Sequence, residues 1–370
     1  MSQETGTRHP LFEPFSLGSL QLSNRIVMAP MTRSRADNPE RVATPMMGTY
    51  YEQRASAGLI ISEGTQVSPR AVGYLNTPGM HSDEQVEGWK HVTARVHARH
   101  GKIFAQLWHV GRISHEDLLG GQTPLAPSAI KAESKSYTKQ GFKPTSTPLA
   151  MSLSQIEETQ ADFVRAAKNA LRAGFDGVEL HAANGYLFHQ FFSRCSNTRE
   201  DDYGGSRENR ARFLFETLDA MREAGVPLER VGVRLNPSGH GFLGMEVDEE
   251  TMPTFEHIVT RLNDYPIAFL HLCEPFNDVS DVPHAETQVA RRFRPLYDGV
   301  LMTNSGFDRE KAQRFLDEGW ADLVAFGKPF ISNPDLVTRL EQGAELATWD
   351  SDTFYTPGPR GYIDYPKMPR

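Results

Sequence analysis

The sequence predicts an α/β fold, a closed (β/α)8 TIM barrel formed by a single domain over residues 1–370. Two observations support this fold class. Short apolar runs rich in β-branched residues recur along the chain, and amphipathic helical stretches lie between them. Buried parallel strands read as near-continuous apolar runs, and the crossover helices between them carry one apolar stripe. About eight such units indicate a closed barrel, with an open doubly wound sheet as the alternative.

The individual elements can be assigned from these patterns. Strands are predicted over residues 25–30, 59–63, 102–107, 177–181, 231–235, 269–272, 300–303 and 323–326. Helices are predicted over residues 82–100, 154–173, 207–224, 248–263 and 308–318. Ser154 precedes Glu157 at the spacing of a capping box, and Asp308 stands at the start of its helix, so both are expected to cap helix starts.

Two segments do not follow the repeating pattern. Residues 111–151 are rich in Gly, Pro, Ser and Lys and show little helical periodicity. We expect them to form a long excursion after the third strand that holds a small hairpin, because loops of this length are usually functional or decorative. Residues 354–366 are crowded with Tyr, Gly and Pro, which predicts an ordered wrap and not a helix.

The composition excludes several classes of protein. Hydrophobic residues make up 39% and charged residues 23% of the chain, which is typical of a folded soluble protein. The net charge of −8 argues against a nucleic-acid partner. Two cysteines, Cys195 and Cys273, are too few for a disulfide framework or an iron–sulfur cluster.

The chain also lacks sequence signals for a membrane or for export. No apolar run approaches the ~20 residues that a membrane-spanning helix needs. Residues 1–10 are polar and lack the apolar centre of a signal peptide. We therefore expect a cytoplasmic protein without a membrane partner. A homo-oligomer is compatible with the sequence, which does not define its size.

Polar residues follow most of the predicted strands. In a barrel of this class the functional site lies at the carboxyl ends of the strands. These ends carry residues 29–33, 63–66, 106–109, 181–186, 234, 304–306 and 327–329. One polar residue at a strand end is often only a turn former, but many on one rim predict a binding site.

The last two strand ends suit a phosphate group. Asn304, Ser305 and Gly306 follow the seventh strand, and Gly327 and Lys328 follow the eighth. Small residues let backbone N–H groups approach an anion, helix starts favour it, and a lysine adds charge. Barrels commonly bind phosphate at this place. The alternative is that the glycines only form tight turns and that Lys328 is a solvated surface charge.

Four segments resemble the old yellow enzyme family. They are NRIVMAPMTR at residues 24–33, QLWHVGR at 106–112, HAANGYL at 181–187 and AFGKPF at 325–330. The resemblance extends over nearly the whole chain, from residue 11 to residue 366. It implies a barrel that binds FMN tightly but non-covalently and uses NADPH or NADH to reduce the C=C bond of α,β-unsaturated carbonyl or nitro compounds.

The resemblance also implies which residues bind the flavin. Arg234 matches the position of a cation near flavin N1 and the C2 carbonyl, where it stabilises negative charge. Gln106 matches the position that bonds the pyrimidine edge, and the Thr32 hydroxyl matches the one that bonds the C4 carbonyl. The isoalloxazine wall would be formed by the backbone of Pro30, Met31 and Gly64. Lys328 replaces the arginine that many relatives have at the phosphate.

Catalytic and substrate-binding residues follow in the same way. His181 and Asn184 would donate hydrogen bonds to the substrate oxygen, which makes the β-carbon of a conjugated alkene electrophilic. Tyr186 would protonate the α-carbon opposite the hydride. Four aromatic residues are further candidates for the substrate pocket: Tyr74, Trp108, Phe276 and Tyr355.

Other interpretations stay open at this stage. Arg234 could form an ion pair, Thr32 could cap a helix and Tyr186 could anchor the following helix. A His/Asn pair without a carboxylate or thiolate is a poor metal site, so no metal is expected. A flavin-free phosphosugar lyase or isomerase would need either a Schiff-base lysine, for which Lys328 is the one strand-end candidate, or a carboxylate base such as Glu63 or Glu179. A non-catalytic flavin-binding protein is the third possibility. The natural substrate, the preferred nicotinamide and the stereochemistry are not specified.

Overall fold

A closed barrel of parallel strands forms the centre of the protein in the computed structural model, which describes residues 9–369. The barrel strands are β1 (Ile26–Met28), β2 (Leu59–Gln66), β3 (Ile103–Trp108), β4 (Gly177–Ala182), β5 (Val231–Leu235), β6 (Phe269–Cys273), β7 (Leu301–Asn304) and β8 (Leu323–Phe326). Each strand pairs with the next one along the chain, and β8 closes the barrel on β1. The predicted fold class is confirmed, and the open sheet is excluded.

The strands read as continuous apolar runs because both of their faces are covered. Every residue of all eight strands is buried. Helices cover the outer face, and inward side chains fill the interior. At the amino end of the barrel, Leu17 and Leu22 pack into a cluster with Phe104 and Phe269. They belong to a hairpin of strands Phe15–Leu17 and Leu20–Leu22, which closes that end. Only the carboxyl end is left for a site.

Helices surround the barrel and cap its ends. The α-helices are α1 (Pro45–Gln53), α2 (Asp83–His97), α3 (Leu153–Arg172), α4 (Leu187–Phe192), α5 (Arg207–Glu223), α6 (Thr251–Leu262), α7 (Val289–Phe293), α8 (Arg309–Asp317), α9 (Lys328–Ser332) and α10 (Leu336–Gln342). Short 3-10 helices span Pro10–Phe12, Pro69–Ala71, Glu116–Leu118, Leu228–Arg230, Arg294–Leu296 and Ser351–Thr353. Among the described residues, none of these helices is both long and apolar enough to cross a bilayer.

The predicted helix caps have different outcomes. Asp308 caps α8 as expected, because its side chain accepts a hydrogen bond from the Lys311 amide at 2.7 Å. The capping box assigned to Ser154 is wrong. The cap is Ser152, which pairs with Gln155, since α3 begins earlier than the periodicity indicated. Both positions offer a serine three residues before an acidic or amide side chain, so spacing alone could not separate them.

Residues 111–151 form the long connection after β3. It contains a parallel pair, Leu125–Ala126 with Leu149–Ala150, and an antiparallel hairpin, Lys135–Thr138 with Gly141–Pro144. Residues 354–366 run as turns and irregular structure over the protein. Of residues 1–10, on which the expectation of no signal peptide depends, all but the last two lie outside the described part of the chain.

Buried arginines hold the irregular segment 353–362 against the rim of the barrel. Arg33 donates a hydrogen bond to the Gly361 carbonyl at 2.8 Å, and Arg35 donates one to the Thr353 carbonyl at 2.9 Å. The ring of Tyr362 stacks on Tyr50 with centroids 4.1 Å apart. Backbone carbonyls therefore satisfy guanidinium groups that are removed from water. These contacts also fix the loop after β1, which carries part of the site.

Candidate active site

A cavity of about 720 Å³ opens at the carboxyl ends of the strands. All but three of the predicted site residues line it together: Pro30, Met31, Thr32, Gln106, Trp108, His181, Asn184, Tyr186, Arg234, Phe276, Asn304, Ser305, Gly306, Gly327 and Lys328. Pro30 and Lys328, which are 298 positions apart in the sequence, thus share one wall because the barrel closes β8 onto β1. A single concave site with convergent polar groups is the usual form of a cofactor pocket.

The other three predicted residues lie outside this wall. Gly64 is behind Trp108, and a Cβ added to it would overlap the indole ring. Tyr74 stacks on Trp108 with ring centroids 5.2 Å apart and reaches Tyr186 with its hydroxyl. Tyr355 is 64% exposed and belongs to the segment that wraps the rim. Gly64 and Tyr74 therefore support the wall from behind, and Tyr355 stands outside it.

An irregularity in β2 aligns this part of the wall. The register between β2 and β3 shifts between Ile61 and Gly64, which places Gly64 opposite Gln106. The Ser62 hydroxyl, inside the irregular stretch, accepts a hydrogen bond from the backbone N–H of Gln106 at 3.2 Å. Bulges of this kind re-aim side chains next to functional sites.

Gln106 is oriented by a buried network. Its Nε2 donates to Glu179 Oε1 at 2.8 Å, and the other carboxylate oxygen lies 2.7 Å from Nδ1 of His271. One N–H of Gln106 is therefore committed, and its carbonyl oxygen is free to accept. An acceptor in this wall suits the imide N–H of a flavin pyrimidine ring.

The two carboxylates considered as bases do not face the cavity. Glu179 is fully buried and engaged by Gln106 and His271. Glu63 lies within β2, where Tyr51 donates to it at 3.3 Å and burial raises its pKa to about 7. Neither residue contributes to the cavity wall. The arrangement gives no support to a lyase or isomerase that uses a carboxylate base.

Arg234 presents a buried positive charge to the cavity. Its side chain is 4% exposed, and its Nε donates to Sγ of Cys273 at 3.3 Å. None of the ion pairs in the described part of the chain provides it with a carboxylate, so the alternative in which Arg234 forms an ion pair is not observed. A buried cation needs a counter-charge. The reduced flavin is anionic near N1 and the C2 carbonyl and would supply it.

His181 is a neutral hydrogen-bonding group in this wall. Burial lowers its pKa well below the ordinary value, and the neighbouring charge of Arg234 acts in the same direction. Its Nδ1 is buried without a hydrogen-bond partner in the protein. Its ring lies edge-on to Tyr186 with centroids 4.9 Å apart. An unpartnered buried nitrogen at a cavity wall points to a ligand group that completes it.

Tyr186 keeps its proton in this environment. Burial raises the pKa of Tyr186 well above 10, and its hydroxyl lies 2.9 Å from the Tyr74 hydroxyl. Burial also raises the pKa of Tyr74 to about 12. Trp108 packs edge-on against Tyr186 with centroids 5.0 Å apart, so the ring is fixed on two sides. A protonated and held phenol can serve as a general acid.

The backbone is strained at the end of the cavity where the sequence predicts a phosphate. Ser305 has a φ of 86° and Gly306 a φ of 66°. A positive φ is costly for serine and tends to occur where a ligand needs a particular backbone shape. The Oγ of Ser305 is buried without a hydrogen-bond partner. Nζ of Lys328 lies 5.7 Å from the ring centroid of Trp349 at the same end.

The sequence analysis missed several residues of this site. Phe242 lines the mouth beside Phe276, with ring centroids 5.3 Å apart, and Trp349 lies beside Lys328. Asn236 and Cys273 are buried next to the wall. A signal for Asn236 existed, because it follows Arg234 at the two-residue period of a strand face. Phe242 and Trp349 lie in irregular segments, where no period applies.

Together the barrel, the uncompensated arginine and the unpartnered polar atoms define a flavin-dependent oxidoreductase. The orphaned atoms of His181 and Ser305 and the size of the cavity fit FMN. The chain belongs to the old yellow enzyme family, since a sequence model of the NADH:flavin oxidoreductase / NADH oxidase family matches residues 10–347. The predictions of the family, of FMN and of a nicotinamide reductant are confirmed.

Relatives and solved structures agree with this assignment. 12-oxophytodienoate reductase 1 of Oryza sativa subsp. japonica is 40% identical over 96% of this chain and 93% of its own length. The solved structure of morphinone reductase matches at 44% identity with a TM-score of 0.91, over 98% of both chains. The old yellow enzyme homologue from Zymomonas mobilis matches at 41% identity and a TM-score of 0.91, over 97% of this chain and 99% of its own.

Proposed function

We propose that the protein reduces the C=C bond of α,β-unsaturated carbonyl or nitro compounds at the expense of NADPH or NADH. One observation carries this proposal: His181, Asn184 and Tyr186 line one wall, two as neutral hydrogen-bonding groups and one as a phenol that retains its proton. This set suits an acceptor oxygen and a proton-requiring carbon on the same substrate. The names of two relatives, a 12-oxophytodienoate reductase and a morphinone reductase, support a reductive role.

FMN held in this cavity would, after reduction by the nicotinamide, supply the hydride for the β-carbon. The residues of the chain perform the other tasks. His181 and Asn184 bind the carbonyl or nitro oxygen and draw electron density towards it, which makes the β-carbon electrophilic. Tyr186 donates its proton to the α-carbon, on the side of the alkene opposite to the one that receives the hydride. Tyr74 contacts the Tyr186 hydroxyl and orients it.

Cofactor retention is assigned to the other end of the cavity and to its inner wall. Lys328 and the turn at Ser305 and Gly306 would hold the phosphate. Gln106 and Thr32 would bond the flavin ring, with Pro30 and Met31 against its face. Arg234 would stabilise the negative charge of the reduced ring.

The first experiment is steady-state reduction by the FMN-loaded protein. Consumption of NADPH and NADH is followed with 2-cyclohexenone and with a nitroalkene, and the saturated products are identified. We expect product formation and parallel double-reciprocal lines, since nicotinamide and acceptor use the same cavity in turn. Absence of saturated product with either acceptor, or lines that intersect, would contradict the proposal. Binding of FMN without any turnover would favour the non-catalytic alternative.

A further inference from the structure

Four side chains at the carboxyl ends of β4, β5 and β6 form a buried chain of hydrogen bonds. Arg234 Nε donates to Cys273 Sγ at 3.3 Å, and Cys273 Sγ lies 4.0 Å from Asn184 Oδ1. Asn236 Nδ2 donates to the same Asn184 Oδ1 at 2.8 Å. We call these four residues the strand-end relay. Both Cys273 and Asn236 are fully buried, and neither is part of the cavity wall itself.

The direction of the relay is set at its arginine end. A guanidinium can only donate hydrogen bonds, so Cys273 accepts from Arg234 and its own S–H is left to donate. Burial raises the pKa of the Cys273 thiol, which therefore keeps its proton. The acceptor within reach of that S–H is Asn184 Oδ1. The Nδ2 group of Asn236 donates a second hydrogen bond to the same oxygen.

This direction decides which end of the Asn184 carboxamide meets a ligand. With Oδ1 occupied by two donors, the amide nitrogen is the group left for the cavity. The backbone contributes as well, since Asn184 has a φ of 58°, in the left-handed region that asparagine tolerates better than most residues. If the Asn184 carboxamide alone turned over, its NH2 group would face the Nδ2 donor of Asn236.

We propose that Cys273 and Asn236 are positioning residues that present the amide nitrogen of Asn184 to the substrate oxygen, and that Cys273 ties this donor to Arg234. The inference rests on the proposed function, because it assumes that Asn184 binds the substrate oxygen. It makes the site selective for ligands with an acceptor oxygen, such as a carbonyl, nitro or phenolate oxygen. A ligand with only donors at that point would be disfavoured.

Binding to the FMN-loaded protein tests the Asn236 part of the relay. para-Hydroxybenzaldehyde is titrated at a pH where it is a phenolate, and binding is followed in the visible spectrum of the flavin. Asn236→Leu removes the donor at nearly constant volume and should weaken binding about 5- to 10-fold, the effect of one hydrogen bond. Asn236→Ser keeps a hydroxyl donor and should recover part of the affinity. FMN content and melting temperature should stay close to those of the parent protein.

Substitution of Cys273 tests the link to Arg234 with a second readout. Cys273→Val removes both hydrogen bonds and should weaken phenolate binding and also shift the flavin reduction potential to a more negative value. Cys273→Ser keeps an acceptor and a donor and should restore both properties. Cys273→Ala serves the same purpose if the valine variant does not retain FMN. Cys195→Val is the matched control, because Cys195 is the other free cysteine and does not line the cavity.

The outcomes separate this inference from the proposed function. Phenolate binding that is weakened by His181→Ala but unchanged in Asn236→Leu and Cys273→Val contradicts the relay alone. Binding that is unaffected by His181→Ala contradicts the proposed oxygen site. In that case the potential of Cys273→Val still tests the Arg234–Cys273 contact: a negative shift reversed by Cys273→Ser supports it, and an unchanged potential overturns it.

Discussion

The hydroxyl oxygen of Tyr186 lies 2.9 Å from the hydroxyl oxygen of Tyr74, and both phenols are held against the ring of Trp108. The proposed proton donor therefore has a fixed ring and one hydroxyl partner. Burial keeps both phenols protonated at neutral pH. This pairing gives the catalytic proposal a specific mutational test.

Tyr186→Phe should lower the rate of alkene reduction about 100-fold or more, because a positioned general acid contributes at least that much. Flavin reduction by NADPH, measured separately by stopped flow, should change little, since it requires no proton from Tyr186. Tyr74→Phe keeps the stacking on Trp108 and removes only the hydroxyl partner, so we expect a loss of only about 3-fold. Equal losses in both variants would argue against Tyr186 as the donor.

Acid should destabilise the protein through two buried histidines. Burial lowers the pKa values of His109 and His189 to about 3. Their Nδ1 atoms accept hydrogen bonds from the amides of Gly111 and Gly185, which a protonated ring could not do in the same way. The unfolded chain takes up these protons near pH 6.5, so stability is fully present above that pH and falls as pH approaches 3.

In that window each of these histidines should lower the free energy of unfolding by about 1.4 kcal/mol per pH unit. Urea unfolding at pH 7, 5.5 and 4.5 measures the slope. His189→Gln, which cannot titrate, should unfold with a shallower dependence on pH than the parent protein. A parent protein with equal stability at pH 7 and pH 4.5 would show that the two rings are not held neutral.

Lys328 should contribute to FMN affinity as a point charge. It is exposed and lies over Trp349, so solvent screens part of its effect. Lys328→Ala should weaken FMN binding about 5- to 10-fold at low salt and less at high salt. Lys328→Arg should bind at least as tightly as the parent protein, because a guanidinium can bond phosphate with two N–H groups. Lys168→Ala, on helix α3, is the control; a similar loss there would remove the specific role.

Gly64 should not tolerate a side chain. A Cβ at this position would overlap the Trp108 indole. Overpacking of this kind typically costs about 1–3 kcal/mol and displaces the neighbouring ring. Gly64→Ala should therefore lower the melting temperature and weaken FMN retention. In the double variant with Trp108→Phe, which removes the two clashing atoms Cε3 and Cζ3 of the indole, part of both losses should be recovered. Additive losses would show that Trp108 is not the obstacle.

The sequence was most informative where local patterns repeat. Strands β5 (Val231–Leu235) and β8 (Leu323–Phe326) have the bounds that the apolar runs predicted, because buried parallel strands carry their signal in consecutive residues. Strand β2 continues to Gln66, beyond the predicted end at residue 63. The polar residues of this extension are buried by tertiary contacts, which hydropathy alone does not reveal.

The same contrast applies to the site. The rim residues could be predicted because strand ends converge at one end of a barrel. The pairing of Tyr74 with Tyr186 and the contacts of Cys273 depend on side-chain directions between elements distant in sequence. The roles of the individual residues remain predictions that the variants above test. The structure adds the partners that decide which atom of each side chain is available.

The contacts of segment 353–362 have a consequence for the redox centre. Arg33 and Gly361 are 328 residues apart in sequence and joined by one hydrogen bond. Without the carbonyl groups of this segment, the guanidinium groups of Arg33 and Arg35 would be buried without hydrogen-bond acceptors. The loop that carries Thr32 would then have to rearrange so that water reaches them. A substitution in this segment, although it lies far from the barrel core in sequence, should therefore cause loss of the yellow FMN before it causes unfolding.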